Sequence, residues 1–282
     1  MISKNAFRAV LITTVWLSLF SLSSCNKKEC QDPCKIDCEN YDPCCGQTAA
    51  DASFTIYEVV GGPIPKEYSV TPMATDTILR HNSALFKADF EAEYYEWSIG
   101  TDPRTWNTRE FSLSFRSVPD YAPIEVRLKV YKPTDKDCFP NSQDTVTAKR
   151  YLVVVPRADA KFVGRYEGYL SSTPSKPNFL EIEDSVDQYG NRLYGYRGII
   201  PTCNMPNRGG GNIYSGYRSF YINSRGTKLG CCYGLSGYGK LLIDGSFTMQ
   251  MASYPFNPTD TCFWSGINDP YVADVFNGEK VD

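Results

Sequence analysis

The chain has 282 residues, 29 Lys and Arg against 32 Asp and Glu, a formal net charge of −3 and a single histidine. No basic surface able to neutralise a phosphate backbone is expected, which excludes nucleic acid as a partner. The lone His81 leaves a His-rich metal centre, or a Ser-His-Asp or Cys-His pair, without its parts, so no metal or other cofactor and no catalytic residues are expected.

Lys4 and Arg8 precede an apolar run from Ala9 to Leu22 that is too short for a stable membrane span and reads as a secretory signal. It ends in Leu22-Ser23-Ser24-Cys25. A leucine three places before a cysteine, with small residues between, resembles the lipobox of bacterial lipoproteins. The resemblance implies a signal peptide over residues 1–24, cleavage before Cys25, and a lipid on its thiol as the link to the membrane. Two or more acyl chains, at ~0.8 kcal/mol per buried methylene, hold a protein where one would let go. Asn26 follows where an inner-membrane retention signal would place Asp, which favours the outer membrane and leaves the periplasmic or cell-surface face open. The alternatives are an ordinary secreted protein whose Cys25 pairs, or an uncut signal anchor.

Residues 25–50 are polar, rich in Cys, Asp and Pro, and almost without aliphatic side chains, so they read as a tether with nothing to bury. Of eleven cysteines in the chain, setting Cys25 aside leaves ten, an even number suited to an oxidising compartment. The spacing of Cys30, Cys34, Cys38, Cys44 and Cys45 is not that of paired metal knuckles, so disulfides are expected in place of a metal. Five cysteines cannot pair wholly among themselves, and Cys138 is the candidate outside partner.

Residues 51–156 carry strand after strand. Ser53–Tyr57 and Ile124–Val130 alternate at period two, and Ala84–Ala88, Tyr94–Gly100, Glu110–Phe115 and Arg150–Val155 complete an expected immunoglobulin-like β-sandwich. Tyr95, Trp97 and Gly100 resemble the signature of the polycystic kidney disease (PKD) domain, whereas Ser98 and Ile99 depart from it, so the domain is PKD-like. Trp97 is expected in the core; Trp106, in the loop from Thr101 to Arg109, is less clearly so.

After a short link, Pro156–Asp159, residues 157–282 are rich in tyrosine and glycine and again strand-like. Strands are expected at Phe162–Tyr169, Phe179–Ile182, Leu193–Tyr196, Ser219–Ile222, Leu241–Ile243 and Ser246–Met251, with hairpin signals at Gln188–Asn191 and Ile243–Ser246. Phe162-x-Gly164-x-Tyr166-x-Gly168 resembles the first strand of small lipocalin-like barrels found in bacterial lipoproteins. The fold class is therefore all-β: a sandwich followed by a small antiparallel barrel-like domain, in a chain that resembles a Bacteroidetes-type outer-membrane lipoprotein. If Cys231 and Cys232 lie in a strand they face opposite ways, and bridges to Cys203 and Cys262 follow. Asn207–Asn212 reads as a loop at the rim.

Glu181, Glu183, Asp184 and Asp187 read as the wet face and turn of a hairpin and not as a glycosidase pair. Tyrosines exceed what a barrel core needs, and Tyr194, Tyr196, Tyr214 and Tyr217 are the candidate ligand-binding residues. The expected function is a non-catalytic binding or adhesion module for a glycan or an envelope protein. The alternatives are a lipocalin-like carrier of an apolar ligand and an architectural spacer.

Overall fold

The computed structural model describes residues 32–38, 40–61, 72–186, 192–199, 212–223, 233–255 and 272–281. Cys25, Cys30, Cys203, Cys231, Cys232, Cys262, Asp187 and the 207–211 stretch lie outside them. The described residues are all-β apart from one 3-10 turn at Arg157–Asp159.

The chain divides into two compact units. The smaller joins the tether, up to Ala49, with Thr134–Gln143. Two disulfides hold it, Cys34–Cys45 and Cys44–Cys138, so Cys138 is the outside partner of a tether cysteine. Cys38 is disulfide-bonded as well and buried. Asp32 and Asp42 each accept a backbone N–H two residues on, from Cys34 and Cys44, which shapes the turns around the bridges.

The larger unit, Ala50–Pro133 with Asp144–Asp282, contains both the sandwich and the barrel. The first sheet has strands β1 (Phe54–Val59), β2 (Met73–Ala74), β4 (Ser83–Ala88) and β6 (Glu110–Ser114) in the order β2-β1-β4-β6. The second has β3 (Thr77–Leu79), β5 (Tyr94–Ile99), β7 (Pro123–Tyr131) and β8 (Thr145–Val155) in the order β3-β8-β7-β5, with β3 parallel to β8. Period-two alternation makes the two sheets face each other: Ile56, Phe86, Trp97, Val126, Leu128, Leu152 and Val154 have no exposed surface at all or nearly none. Trp97 is pinned edge-on by Phe54 at 5.1 Å and Phe111 at 5.5 Å, and its indole N–H donates to Thr108 O at 2.9 Å. Gly100 ends β5 at φ 52°, a left-handed turn position that suits glycine.

The barrel sheet comprises β9 (Gly164–Leu170), β10 (Pro177–Val186), β11 (Arg192–Gly198), β12 (Asn212–Ser215), β13 (Ser219–Asn223), β14 (Tyr233–Leu241), β15 (Ser246–Pro255) and β16 (Val272–Val281). The order is β11-β10-β9-β16-β15-β14-β13-β12, every pairing is antiparallel, and the sheet curls until β11 and β12 meet without a ladder between them. Closure of this kind removes most of the edge that an open eight-stranded sheet would present.

One expected strand needs correction. Leu241–Ile243 is not a strand: β14 ends at Leu241, and Leu242 and Ile243 are exposed in a turn. Asp244 accepts both the backbone N–H and the hydroxyl of Ser246, and Leu242 N–H bonds Ser246 O, so the turn chemistry overrides the three consecutive aliphatics. β2, β3, β12, β16 and, but for its last residue Leu241, β14 lie where no strand was expected. The link Pro156–Asp159 makes contacts of its own: Arg157 O accepts the Tyr194 hydroxyl, and Asp159 accepts that of Tyr121.

Sandwich and barrel are joined by a buried carboxylate. Glu58, near the end of β1, is 4 % exposed and enters the β12–β13 turn. It accepts the backbone N–H of Tyr217 at 2.5 Å, that of Arg218 at 3.2 Å, and the hydroxyl of Ser219. Gly216 is required beside it, since a Cβ there would stand 2.6 Å from the Glu58 carboxylate oxygen. Apolar contact surrounds the polar one: Val60 packs on Tyr221, Tyr238 and Ala252 of the barrel's outer face, and Leu79 and Val155 join the barrel's own core.

Burial raises the Glu58 carboxyl above its ordinary 4.5, partly offset by the hydrogen bonds from Ser219, Tyr217 and Arg218. The folded protein therefore holds this proton more tightly than the unfolded chain. The resulting stability is complete below pH 4.5 and is lost as pH rises through the folded value. Glu58→Gln keeps an oxygen acceptor without the charge, and urea titrations from pH 4 to 8 should show this loss flattened. Glu58→Ala strands two buried N–H donors and should cost about 1–3 kcal/mol. Gly216→Ala should destabilise the chain too, by the clash it creates. A second expectation concerns the tether: Cys44–Cys138 closes a loop of 94 residues and Cys34–Cys45 one of 11. On chain entropy, loss of the longer bridge should cost about 4–5 kcal/mol and of the shorter about 3 kcal/mol. Denaturant midpoints of Cys138→Ser and Cys34→Ser compare the two.

Candidate functional site

Among the described residues, the side chains that face the barrel interior pack against one another. Phe162, Tyr166, Leu180, Phe220, Ile222, Met249 and Phe276 each have no exposed surface. Tyr166 stacks on Phe247 at 4.0 Å, Phe247 meets Phe220 at 5.9 Å, and Phe162 touches both Phe220 and Tyr194 at 5.2 Å. A side chain lining a ligand cavity keeps surface open to that cavity, and these keep none. The Tyr166 hydroxyl donates to Phe162 O, and desolvation pushes its ionisation well above the ordinary range, as expected of a phenol sealed from water.

The candidate tyrosines fall into two groups, neither of which is an open rim. Tyr194 and Tyr196 are buried, 8 % and 7 % exposed, within the barrel core. Tyr217 packs half-buried against the same core, and Tyr214 stacks on Tyr221 at 6.0 Å on the face that meets the sandwich. Tyr194 and Tyr196 are thus core side chains and Tyr214 and Tyr217 are partly covered, while the rings packed against the barrel glycines Gly239 and Gly278 are Phe220, Phe247 and Phe276. His81 is exposed in the β3–β4 turn, where its backbone N–H bonds Phe115 O. Glu181 is paired with Arg197 at 2.7 Å and Glu183 with Arg197 at 3.3 Å, on the outer face of the β10–β11 hairpin.

An open concavity lies on the sandwich, among the described residues. A slot of about 540 Å³ runs between the two sheets where β5 and β6 end, walled by the turn from Gly100 to Arg104 and the β6–β7 connection from Phe115 to Ala122. Its floor is apolar: Ile99 and Phe115 are nearly buried, and Leu113, Val118 and Ile124 are partly so. Trp106, in the β5–β6 loop, bridges back to Trp97 and stacks on Phe111 at 4.6 Å, leaving Leu113 and Phe115 beyond it.

Charges ring the mouth. Asp102 and Arg104 form a forked pair with contacts of 2.6 and 2.9 Å, which holds the Asp102 carboxyl down to about 2. Arg104 also lies 5.3 Å from the Trp106 ring. Glu125 pairs with Arg127 and Lys149. Arg116 is exposed, and among the described residues it has no ion-pair or hydrogen-bond partner. Sequence reading missed the slot; the signal available to it was a proline-rich connection, Arg116 to Pro123, beside a strand with serines on its outer face.

No protein-family model matches the chain, and no curated protein or solved structure matches it either.

Because Tyr194 is core, Tyr194→Ala should unfold or loosen the barrel and not act as a selective binding lesion. Removal of a buried aromatic typically costs about 3–5 kcal/mol. Its melting temperature should fall, and near-ultraviolet circular dichroism should report loss of aromatic packing; a fully stable variant would place the ring outside the core.

Proposed function

We propose that the protein is a lipid-anchored, extracytoplasmic binding module of the bacterial outer membrane, without catalytic activity, that recognises a protein or glycan of the envelope. The observation that carries the reading is the contrast between a barrel sealed by its own aromatics and a sandwich left with an apolar slot ringed by charge. A carrier needs an interior vacancy, and the described interior is occupied. A binding module needs a concave, partly apolar surface with a few polar groups, which the slot supplies. The recognition surface is then on the sandwich, and the barrel acts as its rigid mount.

The anchor belongs to the same reading and rests on Leu22-Ser23-Ser24-Cys25. Cys25→Ala should block lipid attachment and processing, so the variant should vanish from membrane fractions as a mature species. Processing and fractionation like wild type would remove the anchor from the reading. Binding itself is tested by passing the purified chain over arrays of envelope glycans and envelope proteins. Retention that Arg116→Ala weakens supports the slot, whereas turnover of a screened glycoside would make the protein an enzyme.

A further inference from the structure

The ladder between β4 and β6 sets which backbone groups of β6 remain free. Phe115 N–H bonds Asn82 O, and Ala88 N–H bonds Arg109 O, so residues 109 and 115 turn their backbone polar groups toward β4. In an antiparallel pair this alternates residue by residue, which directs the N–H and C=O of Glu110, Ser112 and Ser114 away from β4. β6 is the last strand of its sheet. The Glu110 carbonyl is already taken by the Thr108 hydroxyl at 2.8 Å. Ser112 and Ser114 are left with outward backbone donors and acceptors that have no partner among the described residues, on side chains exposed to solvent.

Those groups lie beside the slot. Leu113, between them, points the other way and contributes to the slot's floor, together with Val118 and Ile124. A strand laid along β6 would make main-chain bonds to Ser112 and Ser114 and send alternate side chains between the sheets toward that floor. Main-chain bonds beside a pocket for alternate side chains are how sheet edges take up extended peptides. Arg116, two residues beyond Ser114, is the unpaired cation at the end of this track; Lys87 and Glu110, at the other end, neutralise each other at 3.2 Å.

We propose that the free edge of β6 and the adjoining slot bind a short extended peptide carrying a carboxylate, which adds as a fifth strand to the β2-β1-β4-β6 sheet. This rests on the binding-module reading and names its ligand class. The edge is short, two residues with open donors and acceptors, so the segment held is itself short, with one or two apolar side chains in the slot and its carboxylate on Arg116.

The test is selection of a random heptapeptide library, displayed on phage, against the purified full chain, followed by binding of the synthetic winners. Enriched peptides should alternate apolar and polar residues and contain Asp, Glu or a free C-terminus. Ser112→Pro deletes an N–H that β4 does not use, so the edge strand should tolerate it, and it should weaken binding at least ten-fold with an unchanged melting temperature. Arg116→Glu, on an exposed side chain, should weaken acidic peptides similarly and recover binding to their lysine-substituted versions. No enrichment over a carrier protein, or equal binding by both variants, overturns the proposal. A concentration-dependent dimer in light scattering, lost in Ser112→Pro, also overturns it and gives the edge to a second copy. A glycan that binds wild type and both variants alike would leave the binding-module reading standing and the peptide proposal refuted.

Discussion

A carboxylate buried without a cation sets the architecture of the larger unit. Glu58 is desolvated, and what compensates it is a turn whose successive backbone N–H groups and a serine hydroxyl converge on its oxygens. Such a group tolerates little displacement, because moving it away exposes unsatisfied donors on one side and a desolvated acid on the other. The surrounding apolar contacts, Val60 on Tyr221 and Tyr238, are area-dependent and have no direction of their own. Direction comes from the carboxylate, from Asn82 reaching the Ser215 carbonyl, and from the Tyr121–Asp159 bond. Sandwich and barrel are therefore one compact unit by specific polar contacts set within an apolar seam.

That constraint has a consequence for function. One part of the barrel's outer face, around Tyr214, Tyr221 and Tyr238, is committed to the sandwich, and its described interior is packed with rings. Tyr214, Tyr221 and Tyr238 are engaged in the seam, and burial pushes the Tyr238 hydroxyl up to about 12. Part of the tyrosine richness is core, since Tyr166, Tyr194 and Tyr196 are buried among the barrel's inward side chains. Large flat rings fill volume that glycine leaves, and the hydroxyls of Tyr166 and Tyr194 find backbone carbonyls to satisfy them.

The all-β class was legible in the sequence because period-two alternation is strong in β1, β5 and β7, and Trp97 sits at an inward position of β5 between Tyr95 and Ile99. The ends of the sandwich were less legible. β2 and β3 are two and three residues long, too short to show any period. In the barrel, β14 alternates glycine with larger residues, so the apolar signal fell on Leu242 and Ile243 just beyond its end, where the Asp-Gly turn exposes them. β16 carries Asn277-Gly278-Glu279-Lys280, a polar stretch, and is a strand because both its neighbours supply ladders. Burial was the least legible property of all: nothing in the spacing of Tyr194 and Tyr196 distinguishes an inward face from an outward one until the register with β10 is known. The slot was invisible for a related reason, since its walls come from two separate connections, at 100–104 and 115–122, that the fold brings together.

The pattern of edges explains why one stretch of the sandwich stands apart. Sheet edges invite pairing with other chains, and folded proteins shorten, cover or charge them. At β2 the edge is two residues long. β5 has its outer side bridged by Trp106, with the Arg104 guanidinium against that ring. In the barrel, curvature brings β11 and β12 together. β6 is treated in the same way for its first half, where Thr108 caps Glu110 and Trp106 covers Phe111, and beyond that no described residue covers it. The second half is Ser112, Leu113 and Ser114, with no charge, proline or covering ring among them, and Arg116 lies beyond. An unprotected edge that opened on solvent alone would be a liability with no return. This one opens beside an apolar slot and an unpaired cation, which is the arrangement that a fifth strand requires.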